Sequence, residues 1–277
     1  MAKVLALDLD GTLFYPKKKI KMIPKKNLLF IRKFIDQGNK VVLCSGRSMF
    51  YAKKVIEKIN RDIDVIGCNS GFIYCNNEYV SESMLEAPLV GEVVKTLQEK
   101  FQIHVWLLMS KNCSLVIAGK LNKLQTIGYK IVYALQGVYA EKYCISNDVF
   151  MEEINKGHIY KLMMFFGLGK KGRQRAYEAT KYLREFHNEQ IEASWCDNFI
   201  ELTARDVSKS NGLLKYCKLN SLKKEDVYVV GDSGNDISMF ETFKDHSFCM
   251  EHASHKIKKF AKYHIDTVAD IEKYIGE

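Results

Sequence analysis

The chain predicts an α/β fold, a helix-covered parallel sheet interrupted by an inserted α+β domain, on three observations. Short apolar runs alternate with helical patterns near both ends of the chain. Three of those runs break abruptly into acids, serine or glycine, and the rhythm changes between about residues 82 and 197. Strand–helix alternation is the pattern of parallel strands buried on both faces. With 277 residues, 47% of them apolar or aromatic, one or two domains with sizeable cores can form.

Taken in order, Val4-Leu5-Ala6-Leu7 reads as a buried strand breaking into the loop Asp8-Leu9-Asp10-Gly11-Thr12-Leu13. Pro24 opens a helical segment with Leu28, Ile31 and Ile35 on one face, and Gly38 closes it. Residues 40–44 form a second apolar run, ending in Ser45-Gly46-Arg47. A helical pattern over 49–59 leads to a third run at 65–68 and the polar turn Asn69-Ser70-Gly71. The insertion then reads as a helix over 89–101, apolar or alternating runs at 103–109, 115–118, 160–166 and 191–195, and a helical segment near 173–187. Its aromatic residues Trp106, Tyr129, Tyr133, Phe165, Phe166 and Trp195 could line a specificity pocket, but most are expected in a core. After it, Asp206-Val207-Ser208-Lys209-Ser210-Asn211 starts a helix with Lys209 at its amino terminus. Val227-Tyr228-Val229-Val230 ends in Gly231-Asp232-Ser233-Gly234-Asn235-Asp236, residues 247–250 form a last apolar run, and a final helical segment starts at about Asp270. The parse is a discontinuous core, 1–82 and 198–277, around an inserted domain, 83–197.

The formal charge is +9, with the densest basic cluster at Lys17-Lys18-Lys19, Lys21, Lys25 and Lys26. Solvated helix faces account for most lysines, and a basic balance also suits capture of anionic small molecules. No paired CxxC and HxxxH and no basic region with heptads is present, so no nucleic-acid partner is expected. The eight cysteines are scattered without a CxxC pair. Asp8 and Asp10 interrupt the only apolar run near the amino terminus, so no signal peptide is read there. No apolar segment approaches the roughly 20 residues that span a bilayer. The chain reads as reduced, cytoplasmic and without a membrane partner.

Ligands of an open parallel sheet bind beyond the carboxyl ends of its strands. Asp8/Asp10, Ser45/Gly46 and Asp232/Asp236 would meet there. Two carboxylates two residues apart repel unless a cation or a proton sits between them. Lys209 at a helix amino terminus adds charge where backbone N–H groups already favour an anion. Each piece alone has an ordinary explanation: Asp-Gly is turn chemistry, Ser-Gly a loop, one lysine a surface group. Their joint occurrence in this order does not.

In that order, Asp8-Leu9-Asp10-Gly11-Thr12, Ser45, Lys209 and Gly231–Asp236 resemble the four motifs of the haloacid dehalogenase superfamily. The long insertion between the serine and lysine motifs resembles the α+β cap of its Cof-type sugar-phosphatase branch. The resemblance covers essentially the whole chain and implies a Rossmann-like core with a mobile cap that sets substrate specificity. It implies a Mg²⁺-dependent phosphatase acting on small phosphorylated metabolites. Asp8 would be the nucleophile, forming an aspartyl-phosphate, and a metal ligand. Asp10 would be the acid/base, with its backbone carbonyl on the metal. Asp232 would be the third protein ligand, and Ser45, the Gly46 N–H, Lys209 and Asn235 would hold the phosphoryl group or substrate. Asp236 would orient Lys209 or a metal-bound water, and Thr12 would fix the first loop.

The acid at position 10 favours phosphoester hydrolysis over dehalogenation, since dehalogenase-like relatives lack it. Two other readings remain open at this point: transfer of the phosphoryl group to a sugar, and a regulatory metabolite-binding protein with a vestigial site. One departure concerns Glu251-His252-Ala253, where the family often carries Gly-Asn-Ala. It puts in doubt the contact that the asparagine makes. Cys249, His252 and His255 have a spacing that a metal site could use, but a strand end running into an exposed helix accounts for them without one.

Overall fold

In chain order the elements begin with β1 (Val4–Leu7), α1 (Lys25–Asp36), β2 (Lys40–Cys44), α2 (Met49–Ile59), β3 (Asp64–Gly67), β4 (Phe72–Cys75) and β5 (Glu78–Glu82). There follow α3 (Ala87–Phe101), β6 (Val105–Ser110), β7 (Leu115–Ala118), α4 (Lys123–Gln136), β8 (Tyr143–Ile145), α5 (Asn147–Lys156), β9 (Ile159–Phe165), α6 (Gly169–His187), β10 (Ile191–Cys196) and β11 (Phe199–Ala204). The chain closes with α7 (Lys209–Leu219), β12 (Val227–Gly231), α8 (Ile237–Thr242), β13 (Ser247–Met250), α9 (His255–Lys258) and β14 (Tyr263–Ile265). This computed structural model describes residues 2–17 and 22–275, so Lys18, Lys19 and Lys21 of the basic cluster lie outside the described residues.

The first unit holds Met1–Arg47, Ala52–Glu82 and Ser208–Glu277. Its sheet runs β14-β13-β12-β1-β2-β3-β4-β5, parallel from β14 to β3. The β4–β5 hairpin extends it antiparallel. β1 and β12 are buried along their whole length, which is why they read as continuous apolar runs rather than alternating ones. Leu7 lies in register with both Leu43 and Val230, so the residues that follow these three strands emerge at one sheet edge. One face packs Val4, Ala6, Val42 and Val229 against Leu213 and Tyr216 of α7 and Phe240 of α8. That packing fixes where α7 begins.

The second unit holds Ser48–Tyr51 and Ser83–Val207. Its sheet runs β10-β11-β9-β6-β7-β8, antiparallel except for β7 and β8. Alternate residues of β6 and β9 (Trp106, Leu108; Leu162, Met164) face a core shared with α3, α5 and α6, as a strand's period of two requires.

Four expectations need correction. The inserted unit ends at 207 rather than 197, because β11 pairs with both β10 and β9 and cannot leave that sheet. It also takes in the short stretch 48–51. The final helical segment is a 3₁₀ turn, Val268–Lys273. Of the six aromatic residues, most of them expected in the insertion's core, only Trp106 and Phe166 are buried. Trp195 instead sits at a strand end, edge-on to Tyr177, and Tyr129 and Tyr133 lie on α4, which buries no residue. Among the described residues no helix is long and apolar enough to cross a membrane.

Candidate active site

Asp8 is the first residue past β1, and its N–H still donates to the Val230 carbonyl at 3.0 Å. Gly11 then turns the chain at φ +83°, and a Cβ there would lie 2.2 Å from Asp232 Oδ2. Only glycine allows both that conformation and that approach. The Thr12 hydroxyl, fully buried, donates to Asp232 Oδ1 at 3.0 Å and ties the first loop to the last. Gly231 plays the corresponding part after β12: a Cβ would meet Asp236 Cγ at 2.3 Å. The Ser208 hydroxyl accepts the Asn211 N–H and caps α7, which sets Lys209 as its first residue.

Lys209 is fully buried, with Nζ 2.5 Å from Asp8 Oδ1 and 2.7 Å from Asp236 Oδ1. The other Asp236 oxygen accepts the backbone N–H of Asp232 and of Ser233, both at 3.0 Å, and the Ser233 hydroxyl at 3.1 Å. Asp236 thus has both oxygens committed to holding Lys209 and the acidic loop. Burial pushes the Asp8 carboxyl up to about 7; Lys209 opposes this, and Asp236 and Asp232 add to it. Burial also raises Asp232, reinforced by Asp236 and opposed by the Thr12 hydroxyl and His252. Burial works against the Lys209 ammonium, but Asp236 and Asp8 outweigh it and hold its pKa above the usual lysine range.

Carboxylate oxygens of Asp8, Asp232 and Asp236 all lie within 4.8 Å of one another. Three carboxylates face one ammonium, a net formal charge of −2 that a single divalent cation would cancel. The donors are all hard oxygens, the set that Mg²⁺ prefers. With Asp236 committed elsewhere, Asp8 and Asp232 are the side chains left to hold the ion, and the residues present fit it.

The remaining motif residues lie around this centre. Both Asp10 oxygens are taken by the Arg47 guanidinium, at 2.6 Å from Nε and 2.9 Å from Nη2. This is the bidentate fork that arginine forms with carboxylates. Buried Ser45 directly follows β2, and its hydroxyl accepts the Arg47 N–H at 3.3 Å, with Gly46 between them. Exposed Asn235 donates to Asn69 Oδ1 at 3.3 Å. Asn69 lies in a turn whose residues 68–70 have φ of 49°, 59° and 90°, a run of left-handed non-glycine residues that signals backbone strain.

Arg47 and Tyr15 are brought to the site without having been singled out for it, and His252, noted as the departure from the family's Gly-Asn-Ala, joins them. Arg47 had a signal, standing next to the Ser45-Gly46 pair. His252 Nε2 lies 3.7 Å from Asp232 Oδ2, and its ring stacks on Tyr15 with centroids 3.8 Å apart. Cys249 is buried at the end of β13, and among the described residues the group within metal-holding distance is the three aspartates.

Known proteins resemble this chain along most of its length. A 5-amino-6-(5-phospho-D-ribitylamino)uracil phosphatase of Bacillus subtilis is 27% identical over 270 residues, covering 93% of this chain and 90% of that protein. A pyridoxal phosphate phosphatase of Escherichia coli is 23% identical, covering 86% and 84%. The crystal structure of a haloacid dehalogenase-like hydrolase from Bacteroides thetaiotaomicron superposes with a TM-score of 0.79 at 22% identity, over 99% of this chain and 100% of that one. The model of the haloacid dehalogenase-like hydrolase family matches residues 5–274. The chain is an enzyme of that family, a haloacid dehalogenase-like hydrolase of the Cof-type phosphatase branch.

Proposed function

We propose that the enzyme hydrolyses small phosphomonoesters with Mg²⁺ through a covalent intermediate on Asp8. The observation that carries this is the buried Asp8 itself. One of its oxygens is anchored on Lys209 at 2.5 Å, and the carboxylates that could share a cation with it are gathered beside it. The two relatives named above act on phosphomonoesters of small heterocyclic compounds, which supports metabolite phosphates as the substrate class.

A carboxylate oxygen of Asp8 attacks phosphorus; the new O–P bond forms as the bond to the leaving oxygen breaks. Asp10 supplies the proton to that leaving oxygen and then accepts one from the water that hydrolyses the aspartyl-phosphate. Both Asp10 oxygens are engaged by Arg47, so Asp10 must leave that pair before it can serve. The phosphoryl dianion is the natural competitor for the guanidinium. Ser45, the Gly46 N–H, Lys209 and Asn235 surround the phosphoryl oxygens, and Lys209 meets the charge that builds during transfer. Asp236 keeps Lys209 in place, and Thr12 keeps Asp232 in place. Asp8, Asp232 and the Asp10 carbonyl would hold Mg²⁺, which would supply charge neutralisation at the phosphoryl group. The inserted unit supplies the selectivity.

Purified protein with Mg²⁺ and p-nitrophenyl phosphate is expected to release phosphate, and Asp8→Asn to lower kcat by about a thousandfold or more. Residual turnover near the wild-type rate in that variant would overturn the covalent route. Adding acceptor sugars to the assay separates hydrolysis from phosphoryl transfer.

A further inference from the structure

Glu141 is buried, yet among the described residues no basic side chain pairs with it. A carboxylate removed from water without a cation persists only where donors and dipoles replace the water. Here the Ser48 backbone N–H donates to Oε1 at 2.9 Å, and the Ser48 and Ser114 hydroxyls donate to Oε2 at 3.2 and 2.8 Å. The Ser48 oxygen in turn accepts the Tyr51 N–H at 3.3 Å, so Ser48 caps α2 and the carboxylate sits at that helix's positive end. All of these residues belong to the second unit, which the chain enters directly after Arg47.

The segment just before Ser48 is the one that carries Ser45, Gly46 and Arg47. From the β3 side it is held by backbone bonds: Ser45 N–H to Ile66 at 2.9 Å, Asn69 N–H to the Ser45 carbonyl at 3.0 Å, and Cys68 N–H to the Arg47 carbonyl at 3.0 Å. The residue after Arg47 has its amide and its hydroxyl fixed by Glu141. Loss of that carboxylate would remove this acceptor from the Ser48 amide and hydroxyl and loosen the chain just past Arg47, whose carbonyl stays bonded to the Cys68 N–H.

We propose that Glu141 is a positioning residue, fixing Ser48 and thereby the conformation in which the Ser45–Arg47 loop meets a phosphoryl group. The proposal rests on the phosphatase reading above. It accounts for a buried, cation-free carboxylate placed one residue beyond the loop, where capping of α2 by Ser48 alone would not require one.

The test uses the full chain with Mg²⁺, as Glu141→Ala and Glu141→Gln, each also in a Ser45→Ala background. Glu141→Ala is expected to lower kcat/KM for p-nitrophenyl phosphate about tenfold, mostly through KM, and to weaken inorganic phosphate binding by a similar factor. Glu141→Gln keeps an acceptor for the Ser48 N–H and should recover most of the loss. In the Ser45→Ala background the further loss should shrink, because one of the groups being positioned is gone. Hydrogen exchange of the peptide 44–51 should quicken in the alanine variant. Unchanged kinetics and phosphate affinity in folded Glu141→Ala, or equal losses in both backgrounds, would overturn the proposal. If the alanine variant does not fold, Ser114→Ala, which removes one donor, replaces it with an expected two- to threefold weakening of phosphate binding, and no weakening counts against the proposal. Should wild-type protein release no phosphate from any ester, the phosphatase reading fails on its own. Calorimetric binding of inorganic phosphate and the exchange of peptide 44–51 then still decide the role of Glu141.

Discussion

The acid loops of the first unit and helix α4 of the second show opposite ways of using the same chain. In the loops after β1 and β12, buried Asp8, Thr12 and Asp236 are all hydrogen-bonded, and even a methyl group on Gly11 would strike Asp232. On α4, by contrast, Leu124 and Leu135 are 77% and 83% exposed, and Ile127 and Ile131 are more than half exposed. Both segments begin with well-formed local structure, α4 with a complete capping box at Asn122 and Gln125. The difference lies in what surrounds them. A site that must hold charge out of water needs every neighbour placed, whereas a helix standing clear of its unit's core needs only its own backbone bonds and caps.

The strongest way to break this comparison is Gly11→Ala. A left-handed residue and a contact of 2.2 Å with Asp232 Oδ2 should together cost about 2 kcal/mol or more of stability and weaken Mg²⁺ binding. Chemical denaturation and calorimetric Mg²⁺ titration would read both. Wild-type values for both would mean that the loop is not tightly packed.

A smaller effect follows from the charge on Asp8. Its folded-state pKa is raised from 3.8 to about 7, so the folded protein keeps a proton that the unfolded chain has released. The folded state therefore binds more protons between these values, and stability falls as pH rises through that window, levelling above about 7. In metal-free protein the melting temperature should drop between about pH 4 and 7 and level off above that. The same scan on Asp8→Asn, which cannot titrate there, should drop less. Parallel curves for the two proteins would refute the assignment to Asp8.

The smallest expected change sharpens the other side. Leu135→Lys places a charge on the exposed face of α4 and should alter stability by no more than about 0.5 kcal/mol. A loss well beyond that in a denaturation curve would show that this face is covered in solution.

The core strands and acid loops were legible because burial on both faces leaves unbroken apolar runs, and those runs stop at acids, serine or glycine where the strands end. Lys209 was legible for a related reason: Ser208 marks a helix start, and a lysine there has an anion-seeking partner in the helix end. The hairpin β4–β5 was not, since β5 alternates exposed and half-buried residues at a sheet edge and carries little apolar signal. β11 was missed too, and with it the insertion's true end, because its membership depends on pairing with β9 rather than on its own composition. The pairing of Arg47 with Asp10 has no periodicity to announce it.

What the sequence determined by itself is the chemistry available: which carboxylates, which lysine, which glycines, and the order in which strand ends would present them. Those follow from residue type and from spacing along the chain, both local properties. Only the tertiary structure decided the allocation of partners. It committed Asp236 to Lys209 and the acidic loop, joined Thr12 to Asp232 across 220 residues, placed His252 against Tyr15, and set Glu141 on Ser48. The physical reason is that burial makes each of these groups require a partner, while only the packed sheet determines which partner lies within reach.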